Sequence, residues 1–312
     1  MSRAIVFPGQ GSQAVGMGRE LAEAFSAARE VFEEVDEALQ QKLSRLIWEG
    51  PEADLTLTEN AQPALMAMSM AVVRVLSDQG NWHVKDQVAY VAGHSLGEYS
   101  ALAAAGSLTL SDTARLLKLR GQAMQKAVPV GQGAMAALLG VDLDLARAIA
   151  AEAAAGEVCA AANDNAPGQV VVSGTKAAVE RAMALAAEKG FKRSMLLPVS
   201  APFHCPLMQP AADAMAEALS RVTLRAPVVP LMANVTAAAV TNPDEIRSLL
   251  VAQVTGTVRW RETVLAMQAM GVDRLVEAGA GKVLAGLAKR IDKELLAVSL
   301  QTPADIEAFL KG

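Results

Sequence analysis

A chain of 312 residues exceeds what one small core needs and suits one large domain, alone or with a smaller unit attached. Hydrophobic residues make up 52% of it but aromatic ones only 4%, so much of the apolar content is alanine, which favours closely packed helices over aromatic binding surfaces. The net charge of −5 has the wrong sign for a general nucleic-acid binder.

Residues 3–7 form an apolar run that reads as a strand and stops at Pro8-Gly9. Without a basic head, a long apolar stretch or a small-residue cleavage site, it is not expected to be a secretory leader. Residues 19–46 read as one or two charged amphipathic helices, and residues 64–79 as another. A strand is expected over 87–92, then helices over 98–105 and 111–126. Residues 134–140 read as a strand and 143–155 as a helix. Two strands, 158–162 and 169–173, are then joined by an Asn163-Asp164-Asn165-Ala166-Pro167-Gly168 loop, and a helix over 177–189 and a strand over 192–199 follow. This β-α-β-β-α-β order is ferredoxin-like. Alternation then resumes: strand 228–233, helices near 243–253 and 260–270, strand 273–277, helix 282–292, strand 295–299 and helix 303–310.

The expected fold is α/β: a parallel-sheet domain over 1–130 and 200–312, interrupted by a ferredoxin-like subdomain over 131–199. Gly131-Gln132-Gly133 reads as a flexible entry into the insert. No window approaches the ~20 apolar residues of a membrane span, so no membrane partner is expected. Cys159 and Cys205 read as reduced thiols, which points to the cytoplasm.

Gly93-His94-Ser95-Leu96-Gly97 is a G-x-S-x-G with an apolar strand before it and a helical pattern after it, the context of a nucleophile elbow. Side chains at the flanking glycines would clash with strand and helix. The serine would sit where free helix N–H groups favour negative charge, and the N–H of Leu96 is the expected first donor to a tetrahedral oxyanion. Serine needs a base, and the chain has three histidines. His94 adjoins the nucleophile on a sharp turn, and His83 lies in a polar connection before the strand. His204 lies in the rigid loop Ser200-Ala201-Pro202-Phe203-His204-Cys205-Pro206, and elimination selects it. Of the acids Asp112, Asp142, Asp144 and Asp164, none stands at a strand end to orient the imidazole, and a backbone carbonyl could do so instead. Arg120, among leucines on a partly buried helix, would need an anionic partner, such as a substrate carboxylate, or would lay its stem across apolar neighbours.

Together, Phe7-Pro8-Gly9-Gln10-Gly11-Ser12-Gln13, Gly93-His94-Ser95-Leu96-Gly97-Glu98-Tyr99, Arg120-Gly121, Asn163 to Gln169, Phe203-His204 and Glu277 to Leu284 occur in an order that resembles the malonyl-CoA:acyl carrier protein transacylases. The resemblance runs from about residue 3 to about 300, with Gly279-Ala280-Gly281-Lys282 where relatives often carry Gly-Pro-Gly-Lys. It implies a hydrolase-like domain with a ferredoxin-like insert. It also implies Ser95 as the acylated nucleophile, His204 as its base, Arg120 as the grip on the malonyl carboxylate, and Gln10 and Leu96 as backbone oxyanion donors. Gln253 would lend His204 a main-chain carbonyl. Phe203 matches the residue associated with malonyl selection, and Met124 and Asn165 are expected beside it in the pocket.

The implied reaction passes malonyl from malonyl-CoA, through Ser95, to the pantetheine thiol of holo-acyl carrier protein, with no metal and no permanently bound cofactor. A monomer is expected, and Lys189, Lys192 and Arg193 are candidate contacts for an acidic carrier. Water as the acyl acceptor would make the chain a thioesterase, and a non-catalytic scaffold would have no use for Ser95, His204 and Arg120 together. Gly9-Gln10-Gly11-Ser12-Gln13-Ala14 fits a dinucleotide fingerprint, but a charged helix stands where its second strand should be. Gly279 to Val283 lacks the upstream glycine and the Ser/Thr of a phosphate loop.

Overall fold

The computed structural model describes residues 2–312. Its strands are β1 (Ser2–Phe7), β2 (Tyr90–Gly93), β3 (Gly133–Leu139), β4 (Cys159–Ala166), β5 (Gln169–Thr175), β6 (Met195–Leu196), β7 (Leu231–Met232), β8 (Ala239–Val240), β9 (Val272–Ala278) and β10 (Leu296–Leu300). They form a six-stranded sheet in the order β10-β9-β1-β2-β7-β8 and a four-stranded sheet in the order β4-β5-β3-β6. In the larger sheet every pairing is parallel except the β7–β8 hairpin.

The continuous apolar run of β1 follows from its central place. Successive side chains point to opposite faces, so Ile5 and Phe7 enter one helical core while Ala4 and Val6 enter another. The small sheet divides its residues in the same way. Ala136, Leu138, Val170 and Val172 pack against the helices Leu143–Ala154 and Lys176–Glu188, while Met135, Ala137 and Val171 turn toward the main core. All its neighbouring strands are antiparallel, in the ferredoxin-like arrangement.

Several local expectations need correction. Residues 19–46 hold three helices rather than one or two: Arg19–Ala24, Ser26–Leu39 and the start of Leu43–Glu49. Phe25 is extended and Gln40 left-handed, and each ends a helix that the charge pattern would have continued. The helix expected from 64 begins at Thr58; Pro63 costs it one backbone bond, but buried Asn60, Ala61 and Gln62 hold the turns before it. The Asn163 to Gly168 segment is mostly strand, with only Pro167-Gly168 turning between β4 and β5. Tertiary pairing decides this: β4 bridges Val258, an acceptor invisible to local propensity. The strands expected over 87–92, 192–199 and 228–233 shrink to Tyr90–Gly93, Met195–Leu196 and Leu231–Met232, because a strand lasts only where a neighbour pairs with it. The helix Gln209–Ser220 had no expectation, and Gly131-Gln132-Gly133 is pinned, with the Gln132 carbonyl accepting from the Lys176 N–H at 2.8 Å. Among the described residues no helix is long and apolar enough to cross a membrane.

β4 is stitched to the large sheet's side of the molecule. Asp164 N–H donates to the Val258 carbonyl and Val258 N–H to the Ala162 carbonyl, each at 2.9 Å, and Thr257 Oγ1 donates to the Ala161 carbonyl at 2.7 Å. The Asp164 carboxylate, only 1% exposed, takes the Arg261 guanidinium at 2.8 Å. Because Arg261 keeps access to water, Asp164→Ala should lower the unfolding free energy by about 2 kcal/mol rather than the larger cost of a fully buried pair. Urea unfolding read by circular dichroism would measure it, and a loss under about 0.5 kcal/mol would show that the clamp contributes little.

Candidate active site

β2 runs into the helix Gly97–Ala104 through Ser95, whose φ of 54° lies in the left-handed region. A Cβ on Gly93 would stand 1.9 Å from the Gly97 carbonyl oxygen, and one on Gly97 would stand 2.3 Å from that of Phe7. Strand and helix therefore pass so closely that only glycine fits on either side of the serine. The turn leaves Ser95 Oγ facing a cavity of about 450 Å³ at the head of the helix.

His204 also has a positive φ, 57°, and is buried. Its Nδ1 lies 2.8 Å from the main-chain carbonyl of Gln253, and its Nε2 lies 2.8 Å from Ser95 Oγ. A carbonyl can only accept, so Nδ1 carries the proton and Nε2 is left as the acceptor for the serine hydroxyl. Burial, and after it the charge of Arg120, push the imidazole down to about 3, so it stays neutral near pH 7. Asp112 bonds Thr109, Asp142 caps the helix Leu143–Ala154, Asp144 pairs with Arg147 and Asp164 holds Arg261; each is committed elsewhere.

Arg120 comes from the helix Leu110–Ala127 and is 1% exposed. This helix lies close to Thr58–Gly80: a Cβ on Gly121 would meet the Glu59 Cα at 2.5 Å. The approach brings Arg120 within 2.8 Å of Gln62 Oε1, while its other nitrogen donates to Gln253 Oε1 at 2.8 Å and to Ser95 Oγ at 3.1 Å. Tyr99 lies under the guanidinium, 5.7 Å from its ring centroid. All three hydrogen-bond partners are neutral oxygens. The charge is thus buried and oriented, with no carboxylate bonded to it.

The carboxyl whose charge acts on Arg120 is that of Glu98, one turn along from Ser95 and 1% exposed. Its Oε2 accepts from the Gln253 side-chain amide at 2.9 Å and from the Asn234 N–H at 3.0 Å. Burial pushes this carboxyl up to about 7, against the pull of those hydrogen bonds and of Arg120. Gln253 therefore bridges the centre: its carbonyl holds His204, its amide oxygen holds Arg120, and its amide nitrogen donates to Glu98 and, at 3.0 Å, to the Ser95 carbonyl.

Gln10, Leu96, Met124 and Phe203 line the cavity with Ser95, His204 and Arg120. Among the described residues no hydrogen bond takes up the N–H of Gln10 or of Leu96. The Gln10 side chain is fixed by the Thr58 hydroxyl at 2.8 Å. The small sheet and the segment just after β6 add Met135, Leu197, Pro198 and Val199 as an apolar wall. Asn165 is not in that lining; its Oδ1 holds His94 Nε2 at 2.8 Å, and Asn163 faces the cavity instead. The β4 ladder loses its register between Asp164 and Ala166, so Asn165 falls in the irregularity and the alternation that would match it to Asn163 is broken. His83 is bonded to Ser77 and Asn81, away from this cavity. Gln62, Asn234 and the supporting side of Glu98 carried no local signal, although Glu98 sits within the serine motif itself.

The acyl transferase domain family matches residues 4–296 of this chain. A malonyl CoA-acyl carrier protein transacylase of Escherichia coli (strain K12) is 47% identical over 308 residues, covering 99% of this chain and 98% of that protein. The crystal structure of an acyl-carrier-protein-S-malonyltransferase from Bartonella henselae is 57% identical with a TM-score of 0.97, covering 100% of this chain and 99% of that one. A malonyl-transacylase solved in complex with a type II PKS acyl-carrier protein is 42% identical, TM-score 0.96, over 100% of this chain and 99% of its own. With the serine elbow, its histidine and a buried arginine gathered at one cavity, and with relatives of this identity along its whole length, the chain belongs to the malonyl CoA-acyl carrier protein transacylase family of acyltransferases.

Proposed function

We propose that this enzyme moves a malonyl group from malonyl-CoA to the pantetheine thiol of holo-acyl carrier protein through an ester on Ser95. The observation that carries the reading is the buried Arg120 guanidinium 3.1 Å from Ser95 Oγ with only neutral oxygens bonded to it. A site for neutral acyl groups has no use for a cation there.

His204 Nε2 takes the Ser95 proton as Oγ attacks the thioester carbonyl. The N–H groups of Gln10 and Leu96 receive the oxyanion, helped by the head of the helix Gly97–Ala104. Collapse releases CoA, which leaves as its thiol with the proton from His204. The carrier's thiol then gives its proton to His204 and attacks the ester, and the proton returns to Ser95. The large domain, 1–130 and 200–312, supplies these groups. The insert, 131–199, supplies the apolar wall, and exposed Lys192 and Arg193 offer charge to an acidic carrier; Lys189 is partly engaged by Glu152 at 3.5 Å. Phe203 and Met124 bound the acyl pocket. The enzyme is taken to act as a monomer, and the substrates are those of the cytoplasm. No step calls for a resident cofactor or a metal.

Brief mixing with malonyl-CoA, read by intact mass, should give an adduct in the wild type and none in Ser95→Ala, and holo-carrier protein should discharge it. Discharge to water at the same rate would make the chain a thioesterase.

A neutral acetyl group leaves the guanidinium without its anion at a cost of about 3 kcal/mol, roughly a hundredfold in rate. Arg120→Ala should therefore lose malonyl transfer about a hundredfold while acetyl transfer changes less than about threefold. Equal losses in the two transfer rates would remove Arg120 from the carboxylate site.

His204 also leaves a mark on stability. Folded, it binds a proton only near pH 3, while the unfolded chain binds one below about 6.5. Its contribution is present above pH 6.5 and lost as pH falls toward 3. His204→Gln should therefore gain on the wild type by on the order of 2 kcal/mol between pH 6.5 and 4.5, as read from urea midpoints. A constant difference would show that the imidazole is protonated in the folded enzyme.

A further inference from the structure

The N–H of Ser95 and the carbonyl of Gly93 emerge at the end of β2, where β7 has already stopped: the ladder pairs Val91 with Leu231 and Ala92 with Met232 and goes no further. Asn234, two residues past β7 and fully buried, fills the gap with its side chain. Its Oδ1 accepts from the Ser95 N–H at 2.8 Å, and its Nδ2 donates to the Gly93 carbonyl at 2.7 Å. One neighbour only donates and the other only accepts, so a single orientation of the amide satisfies both. The amide stands in for the main chain that a longer β7 would have presented.

We infer that Asn234 is a positioning residue for the acyl transfer, holding the Ser95 backbone in its left-handed turn and keeping the Leu96 N–H free for the oxyanion. The inference rests on the reading of Ser95 as the acylated nucleophile. Gly93 and Leu96 stand at the spacing of a turn hydrogen bond, in which the Leu96 N–H would point back to the Gly93 carbonyl. That bond is not formed, and the Gly93 carbonyl accepts from the Asn234 amide instead. Without Asn234, the Ser95 N–H loses its acceptor and the Gly93 carbonyl its side-chain donor, so nothing holds the turn away from a Leu96 N–H bond to Gly93. Glu98 fixes the support by accepting the Asn234 N–H at 3.0 Å, and the same carboxylate oxygen holds Gln253.

The test is a rapid-quench, intact-mass measurement of malonyl adduct formation from saturating malonyl-CoA. Asn234→Ala should still reach one adduct per chain, with a first-order rate constant about a hundredfold lower, comparable to removal of an oxyanion donor. Asn234→Asp, nearly isosteric, keeps an acceptor for Ser95 and loses the donor to Gly93; it should fall about tenfold and decides the matter if the alanine variant does not fold. In both variants the malonyl-to-acetyl ratio should stay within threefold of wild type, because the elbow serves either acyl group. A wild-type rate constant, or a reduced labelled fraction labelling at the wild-type rate, would overturn the role of Asn234. An adduct on Ser95→Ala would instead overturn the reading of the nucleophile.

Discussion

The backbone of Ser95 is the constraint from which the rest of the site follows. A left-handed serine between strand and helix carries strain that the surrounding structure must hold in place. It also requires glycine on both sides, since Gly93 and Gly97 leave no room for a Cβ. The return is geometric. The hydroxyl stands clear of both elements, at the head of a helix, within 2.8 Å of a histidine that reaches it from 109 residues further along the chain.

Around this turn the protein buries polar groups that an apolar core would reject: Arg120, His204, Glu98, Gln253 and Asn234. The members of this cluster satisfy one another in most of their polar atoms, with Arg120 Nε and Glu98 Oε1 left without a partner among the described residues. Gln253 does most of this by serving as acceptor to His204 and Arg120 and donor to Glu98. Its amide lies between the guanidinium and the Glu98 carboxyl and bridges them without a contact ion pair. That leaves Arg120 oriented and still open to an incoming anion. A direct pair with Glu98 would have neutralised the guanidinium inside the protein.

The insert has a role in the same geometry. Its strand β4 is fastened to Val258 and Arg261, in the segment that follows Gln253. The apolar wall from Met135 and Leu197 to Val199 is thereby fixed relative to Ser95 and His204, and the cavity is lined from both sheets' sides.

The sequence by itself determined what depends on neighbours along the chain. The apolar runs of β1 and β9, the glycines of the elbow and the candidacy of Ser95 rest on spacing of a few residues, the order of elements over 134–199 on a succession of such local patterns, and His204 on elimination among three histidines. Period-two and helical patterns are local, and so is a turn that admits only glycine. Tertiary structure decided the partners. Arg120 meets Gln62, 58 residues before it, and Gln253, 133 residues after it. Asn234 meets Ser95 across 139 residues. Asn163 faces the cavity and Asn165 does not, because the β4 ladder shifts register between Asp164 and Ala166 and the two-residue alternation fails there. The resemblance supplied the Gln253 carbonyl, but nothing in residues 251–258 announced that its side chain would tie the centre together. Hydrogen bonds between buried side chains leave no period in a sequence: each end is a single residue, and only the fold brings the two ends together.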